Sequence, residues 1–83
     1  MSDWYVYILK CKDNSYYTGI TKNIEKRIAD HISGNGAKYT RGRAPLKLMH
    51  TEIFKNRSTA TKREFEIKKL SKIKKEILIK PDL

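Results

Sequence analysis

The stretch that decides the fold lies at residues 4–21 and reads WYVYILKCKDNSYYTGIT. Its two ends are rich in aromatic and β-branched residues, which are typical of strands. Residues 12–15, between them, have turn chemistry, because Asp and Asn side chains bond to nearby backbone and tolerate left-handed conformations. The stretch therefore predicts a β-hairpin with strands over residues 4–10 and 16–21.

The register of this hairpin decides where its tyrosines lie. A turn centred on Asp13 places Leu9 opposite Tyr17. The same register places Tyr7 opposite Gly19, which leaves open the space across from the Tyr7 ring. Because side chains alternate between the faces of a strand, Tyr7 and Tyr17 then share one face as diagonal neighbours, about 7–8 Å apart. An even-numbered loop would put the two phenols on opposite faces, so a site built on both depends on this register.

Arg27 and His31 lie at helical spacing on the segment that follows the hairpin. The isoleucines at positions 24, 28 and 32 repeat every four residues, which predicts a buried stripe along a helix. Arg27 and His31 are also four residues apart and fall on one edge of that stripe. Both side chains are therefore expected at the boundary between helix and sheet, where a site is partly dry and still reachable.

Local signals predict the remaining elements and their ends. Residues 46–54 alternate loosely between apolar and polar side chains, which favours a third strand. Cap and stop residues then place three helices along the chain. The predicted boundaries are Asn23 as N-cap of a helix to about Ser33 stopped by Gly34, Ser58 as N-cap of a helix over about 59–70, and Ser71 before a helix to about Lys80 ended by Pro81.

Composition and charge narrow the class of protein. A chain of 83 residues suits one domain, 1–83, and the predicted elements make it α+β. Nineteen Lys and Arg against nine Asp and Glu give a net charge of +10, which is typical of proteins that bind nucleic acid. No apolar run approaches the ~18 residues of a membrane span, and the single cysteine has no partner for a disulfide. We therefore expect a cytoplasmic protein with no membrane contact.

Two further groups of residues are candidates for function. Residues 34–45 form a loop in which Lys38, Arg41 and Arg43 can neutralise phosphates and Tyr39 can stack on a splayed base. The alternative is a solvated flexible loop. Glu64 falls on the packed face of its predicted helix, where an unpaired carboxylate is costly. Its expected partner is an arginine, a tyrosine hydroxyl or a metal ion, with a plain ion pair to Arg27 or a lysine as the alternative.

A set of short motifs follows a fixed order along the chain and carries a family resemblance. They are YVY at 5–7, YTG at 17–19, TKNIEKR at 21–27, His31, GNGAK at 34–38 and RSTATKRE at 57–64. This order resembles the GIY-YIG nuclease family, and more closely its small stand-alone bacterial members, the YhbQ/YazA-like proteins of the UPF0213 group. Tyr5 and Thr18 replace the glycine and isoleucine of the family name, at positions that carry no catalytic group. A polar residue that many members place late near the site has no assigned counterpart here.

The resemblance implies a three-stranded antiparallel sheet flanked by helices and divalent-metal-dependent hydrolysis of DNA. Tyr7 and Tyr17 would line the cleft, with Tyr7 a candidate base for the attacking water. Arg27 would bind the scissile phosphate, and His31 would assist proton transfer or phosphate binding. Glu64 would hold one Mg²⁺ or Mn²⁺ ion, which completes its shell with water and substrate phosphate. No small-molecule cofactor is implied.

Two questions stay open at the level of sequence. The base is either Tyr7 or His31, because a free phenol titrates near 10 whereas imidazole titrates near 6.5. The leading function is a DNA endonuclease of DNA repair or processing, structure-selective or weakly specific, since the chain has few residues left to read a groove. The alternative is a non-catalytic nucleic-acid-binding module of the same fold. The oligomeric state is not indicated.

Overall fold

A three-stranded antiparallel sheet organises the protein, whose computed structural model describes residues 3–80. The strands are β1 (Trp4–Lys10), β2 (Tyr16–Thr21) and β3 (Lys47–Phe54), in the spatial order β2-β1-β3. The helices are α1 (Ile24–Ser33), α2 (Arg57–Lys68) and α3 (Lys72–Ile79), with a short 3-10 helix at Lys38–Thr40. The predicted α+β architecture is confirmed. None of the helices in the described residues is long and apolar enough to cross a membrane.

The predicted hairpin register is confirmed. Leu9 pairs with Tyr17, and Tyr7 pairs with Gly19. The turn forms because Asn14 adopts a left-handed conformation, with φ of 67°. The backbone N–H of Cys11 closes the loop by donating to the carbonyl of Ser15 at 2.8 Å. The odd-numbered side chains of both strands therefore share one face of the sheet.

The two faces of the sheet have different partners. On the even-numbered face, Val6 and Ile8 pack with Ala60 and Ile67 of α2, and all four side chains are fully buried. Leu78 and Ile79 of α3 pack against this core, together with Trp4, Tyr16, Ile20 and Phe54 of the sheet. The odd-numbered face carries Tyr7, which meets the single buried residue of α1, His31. The apolar core and the polar cluster thus lie on opposite sides of β1.

The predicted burial of α1 is wrong for its isoleucine stripe. Ile32 is 59% exposed, and Ile24 and Ile28 are only half-buried. The helix instead turns His31 inward, with Arg27 half-buried one turn earlier. The reason is that α1 faces the tyrosine-bearing side of the sheet, where hydrogen-bonding groups are the complementary partners.

The helix caps confirm three predictions and correct one. Asn23 caps α1, and Gly34 ends it in a left-handed conformation with φ of 88°. Ser71 caps α3 as predicted, whereas the predicted stop at Pro81 lies outside the described residues. The cap of α2 is Asn56 rather than Ser58, because the Asn56 side chain accepts a hydrogen bond from the N–H of Thr59 at 2.9 Å. The helix accordingly begins at Arg57 and ends at Lys68.

A polar cluster ties β3 to α2. Glu52 accepts hydrogen bonds from two guanidinium nitrogens of Arg63, at 2.8 Å and 3.1 Å. The same carboxylate lies 2.8 Å from Nε2 of His50. These contacts hold the outer strand against α2, so His50 has a structural role.

Candidate active site

Tyr7 and Tyr17 form the floor of the candidate site. Their ring centroids are 6.2 Å apart, as expected for diagonal neighbours on one face. Gly19 provides the space for the Tyr7 ring, because a Cβ at that position would lie 2.6 Å from the Tyr7 hydroxyl. Only 1% of Tyr7 is exposed, whereas Tyr17 is half-buried. The site therefore presents Tyr17 to the surface and keeps Tyr7 beneath it.

Helix α1 supplies the guanidinium and the imidazole predicted from the sequence. Nε2 of His31 lies 2.9 Å from the Tyr7 hydroxyl. Nε of Arg27 donates to the same hydroxyl at 3.3 Å. The four-residue spacing of Arg27 and His31 thus brings both side chains to one phenol. The Tyr7 oxygen is the centre of the cluster.

A second hydrogen-bond chain fixes the other side of the His31 ring. Nδ1 of His31 lies 2.8 Å from the hydroxyl of Thr40, and this hydroxyl donates to the carbonyl of Ala37 at 2.9 Å. Gly36 packs against the ring, since a Cβ there would lie 2.4 Å from Nδ1. Thr40 is 2% exposed and was not among the residues predicted from the sequence. A lone threonine at the end of a single-turn 3-10 helix has no spacing that would have indicated this contact.

Burial sets the titration of the two central groups. Burial raises the pKa of the Tyr7 phenol from 10.0 to about 12, although the hydrogen bond from Arg27 lowers it; the charges of Tyr17 and Glu64 add to the rise. Burial also lowers the pKa of His31 below its usual 6.5, with Arg27 acting in the same direction and Asp30 against it. The hydrogen bond to Tyr7 raises the pKa of Arg27. At neutral pH the cluster therefore holds a neutral phenol, a neutral imidazole and a guanidinium cation.

Glu64 lies on α2 with a half-buried side chain, 17% exposed. Its carboxylate pairs with Lys68 of the next helical turn at 3.2 Å. The ion-pair partner of Glu64 is thus a lysine, one of the alternatives that the sequence left open. Glu64 is close enough for its charge to raise the pKa of Tyr7. Within residues 3–80 no three His, Cys, Asp or Glu side chains come together as a metal cage.

The structure divides the four predicted nucleic-acid-binding residues into two pairs. Tyr39 stacks on Tyr17, with centroids 5.9 Å apart and planes 29° apart. Arg43 lies over the Tyr39 ring at 4.4 Å and pairs with Asp13 of the hairpin turn. Lys38 and Arg41 are exposed, and neither takes part in an ion pair within the part of the chain described. Lys38 and Arg41 are thus available to contact phosphate, whereas Tyr39 and Arg43 are held by contacts within the protein.

Comparison with known proteins places the chain in a family. Residues 3–76 match the family model described as the GIY-YIG catalytic domain. The matched range contains the hairpin tyrosines, both helical residues of the cluster, and Glu64. The match covers most of the chain, and the chain therefore belongs to the GIY-YIG family. Its relatives place it more narrowly.

The relatives are UPF0213 proteins. The chain is 56% identical over 78 residues to a UPF0213 protein of Natronomonas pharaonis, covering 94% of this chain and 92% of that protein. It is 60% identical over 75 residues to one of Clostridium perfringens, covering 90% of this chain and 81% of the relative. The solution NMR structure of a UPF0213 protein from Bacillus halodurans matches with a TM-score of 0.60 and 52% identity, over 93% of this chain and 82% of the other. The resemblance seen in the motifs is confirmed.

Proposed function

We propose that this protein is a divalent-metal-dependent endonuclease that hydrolyses phosphodiester bonds in DNA. The observation that carries the proposal is the Tyr7 hydroxyl, contacted by Nε2 of His31 at 2.9 Å and by Nε of Arg27 at 3.3 Å. Packing alone does not require a buried phenol bridged to an imidazole and a guanidinium. A hydrolytic site does, because it must move a proton from water beside a negative phosphate.

Tyr7 and His31 act together as the base in this mechanism. With its pKa raised to about 12, Tyr7 is protonated at neutral pH and is a poor base alone. The lowered pKa of His31 keeps the imidazole neutral and able to accept a proton. The phenol takes the proton of the attacking water as its own proton passes to Nε2 of His31. This pairing replaces the choice between Tyr7 and His31 that the sequence left open.

Arg27 neutralises the charge that grows on the phosphate. Its Nε is engaged by Tyr7, and its terminal nitrogens would donate to phosphoryl oxygens. The guanidinium remains charged across the physiological pH range. Tyr17, more exposed than Tyr7 on the same face, lines the surface against which the sugar-phosphate chain lies. Both residues orient the substrate toward the Tyr7 oxygen.

Glu64 is the residue that would hold the metal ion. Its half-buried carboxylate is a hard oxygen ligand, as Mg²⁺ and Mn²⁺ require, and its present partner is a displaceable lysine. A single protein carboxylate suits Mg²⁺, which keeps several waters and completes its shell with substrate phosphate. When bound, such a cation supplies Lewis-acid neutralisation of phosphoryl and leaving-group oxygens.

The charge and size of the chain define the substrate class in this proposal. The net charge of +10 and the exposed Lys38 and Arg41 favour DNA held largely through its backbone. Phosphate contacts carry no sequence information, so we expect cutting that is structure-selective or weakly specific. DNA repair or processing in the cytoplasm is the setting we propose, since it supplies branched and nicked DNA.

A nucleic-acid-binding module without catalysis is the second candidate. It is favoured by the pairing of Glu64 with Lys68 and by the lack of a multi-ligand metal cage within residues 3–80. Both candidates predict binding that weakens steeply with salt, so salt dependence does not separate them. Turnover does.

The test is cleavage of labelled branched, nicked and linear DNA in Mg²⁺, Mn²⁺ or EDTA. Arg27→Ala and Glu64→Gln are assayed beside the wild type for cutting and for binding. We expect metal-dependent cutting by the wild type, lost in both variants while DNA binding is retained. Binding without cutting by the wild type on every substrate would establish the binding module instead.

A further inference from the structure

The number of protons in the hydrogen-bond chain through His31 follows from its contacts. Three contacts follow one another: Tyr7 oxygen to Nε2 at 2.9 Å, Nδ1 to the Thr40 hydroxyl at 2.8 Å, and that hydroxyl to the Ala37 carbonyl at 2.9 Å. Each contact joins two electronegative atoms and therefore needs one proton between them. A neutral imidazole, a phenol and a hydroxyl bring three protons in total.

Of the two neutral tautomers of His31, only the Nδ1–H form supplies all three of these contacts, each of which is shorter than the 3.4 Å between the Ala37 nitrogen and Nδ1. The Ala37 carbonyl has no proton to give, so the Thr40 hydroxyl donates to it. The Thr40 oxygen must then accept from His31, which places the imidazole proton on Nδ1. Nε2 is left as the lone-pair nitrogen and accepts from the Tyr7 hydroxyl. The N–H of Arg27 Nε completes the pattern by donating to the Tyr7 oxygen.

We propose that Thr40 is a positioning residue that selects the Nδ1–H tautomer of His31 and so sets the direction in which the Tyr7 proton moves. The inference rests on the proposed function, because it names the group that orients the paired base of that reaction. A base oriented by a third group is a recurrent requirement of such sites. Thr40 acts through His31 and does not touch the substrate in this scheme.

A competing partner for the ring makes this selection necessary. The backbone N–H of Ala37 points at Nδ1 from 3.4 Å. Without the Thr40 hydroxyl as acceptor, the Ala37 N–H is the polar group left beside Nδ1, and because it is a donor it favours the tautomer with the imidazole proton on Nε2. Nε2–H would then donate to Tyr7, and the imidazole could no longer receive the phenol proton. Thr40 prevents this change of tautomer.

The matched variants are Thr40→Val and Thr40→Ser. Valine keeps the branched shape and removes the hydroxyl, whereas serine keeps the hydroxyl and removes the methyl group. Both are made in a His50→Gln background, since the chain has two histidines and His50 would otherwise contribute its own signals. The tautomer is read from ¹⁵N–¹H correlation spectra of ¹⁵N-labelled histidine at neutral pH, without DNA or metal. DNA cleavage is measured on the same proteins, with thermal unfolding as the check on folding.

We expect an Nδ1–H tautomer in the parent and in Thr40→Ser, and an Nε2–H tautomer in Thr40→Val. Cleavage by Thr40→Val should be at least about 10²-fold slower than by the parent, which is the lower range for a positioned acid–base group. Thr40→Ser should keep most of the parent's cleavage rate. An Nε2–H tautomer in the parent overturns the proposal, as does an unchanged tautomer in Thr40→Val. Equal loss of cleavage in both variants also overturns it, since the hydroxyl would then not be the agent. A parent protein that cuts no DNA refutes the proposed function, while the spectra still decide the tautomer assignment.

Discussion

The hydroxyl of Tyr7 lies 2.9 Å from Nε2 of His31, although 24 residues separate the two in sequence. Both groups are buried, so the contact is made away from water, where a hydrogen bond between neutral groups is electrostatically stronger. The same burial pushes the two pKa values apart, that of Tyr7 upward and that of His31 downward. Both shifts keep the pair neutral at physiological pH, with its one shared proton on the phenol side.

Replacing Tyr7 by phenylalanine should change how the free energy of unfolding depends on pH in the alkaline range. The pKa of Tyr7 is about 12 in the folded protein, against 10.0 for an unperturbed phenol. Because the pKa is raised in the folded protein, the stabilisation that the Tyr7 phenol contributes is complete below pH 10 and is lost as pH rises from 10 to 12. The difference in free energy of unfolding between wild type and Tyr7→Phe, measured in urea, should be constant up to pH 10 and shrink above it. A difference that stays constant to pH 12 would contradict the burial argument.

Removing the lysine that pairs with Glu64 should strengthen metal binding. The Glu64–Lys68 pair is a partly exposed contact of 3.2 Å between residues four apart, a type worth about 0.3–0.5 kcal/mol. Lys68→Met should therefore lower the Mg²⁺ concentration for half-maximal cleavage by about two-fold. Lys69→Met, which removes the same charge from the neighbouring exposed position, is the control and should leave that concentration unchanged. Equal shifts in the two variants would point to net charge rather than to the ion pair.

Arg41 and Arg43 should respond differently to alanine. Arg41 is exposed and available for a phosphate, so Arg41→Ala should weaken DNA binding and reduce the salt slope of the affinity by about one. Arg43 is held by Asp13 and lies over the Tyr39 ring, so Arg43→Ala should chiefly lower the melting temperature. Fluorescence anisotropy at several salt concentrations and thermal unfolding separate the effects. A larger change in salt slope for Arg43→Ala would reverse the assignment.

Adding one methyl group at Gly36 should disable the site. A Cβ there would lie 2.4 Å from Nδ1 of His31 and 2.8 Å from its Cα, so the ring or the loop must move. We expect Gly36→Ala to lose about 1–3 kcal/mol of stability, together with most of the cleavage activity. Gly34→Ala is the matched control, because its Cβ would meet no atom within 4 Å and only its left-handed φ of 88° is strained. That control should lose stability by about 1–2 kcal/mol and keep its cleavage rate.

Thr18 is a place where the protein can be stabilised. Its hydroxyl is buried without a hydrogen-bond partner in the described part of the chain. An unsatisfied buried group costs about 1–3 kcal/mol, so Thr18→Val should raise the free energy of unfolding by about 1 kcal/mol. Thr21→Val, on the same strand, should do the opposite, because the Thr21 hydroxyl accepts from the N–H of Asn23 at 3.1 Å. Urea unfolding of both variants tests the contrast, and a destabilised Thr18→Val would indicate that the hydroxyl has a partner.

Local sequence signals were sufficient to predict much of the fold and of the candidate site. Turn chemistry around Asp13 set the hairpin register, and that register alone placed Tyr7 and Tyr17 on one face. The spacing of Arg27 and His31 placed both on one edge of α1, and Asn23 was identified as its cap. These features are decided within a few residues of chain, by alternation along strands, by helical period and by capping. The ordered motifs then identified the family.

Tertiary packing decided the rest. The isoleucines of α1 have the right period for burial, yet the sheet face opposite them carries tyrosines, so His31 turns inward and Ile32 stays exposed. The contact between His31 and Thr40 joins α1 to the short 3-10 helix, and no periodic pattern extends across both. Whether Glu64 met an arginine, a phenol or Lys68 depended on where α2 lay. Hydrogen-bond partners across such distances exist only after the chain has folded, which is why the sequence supplied the candidate groups and the fold decided which of them share a proton.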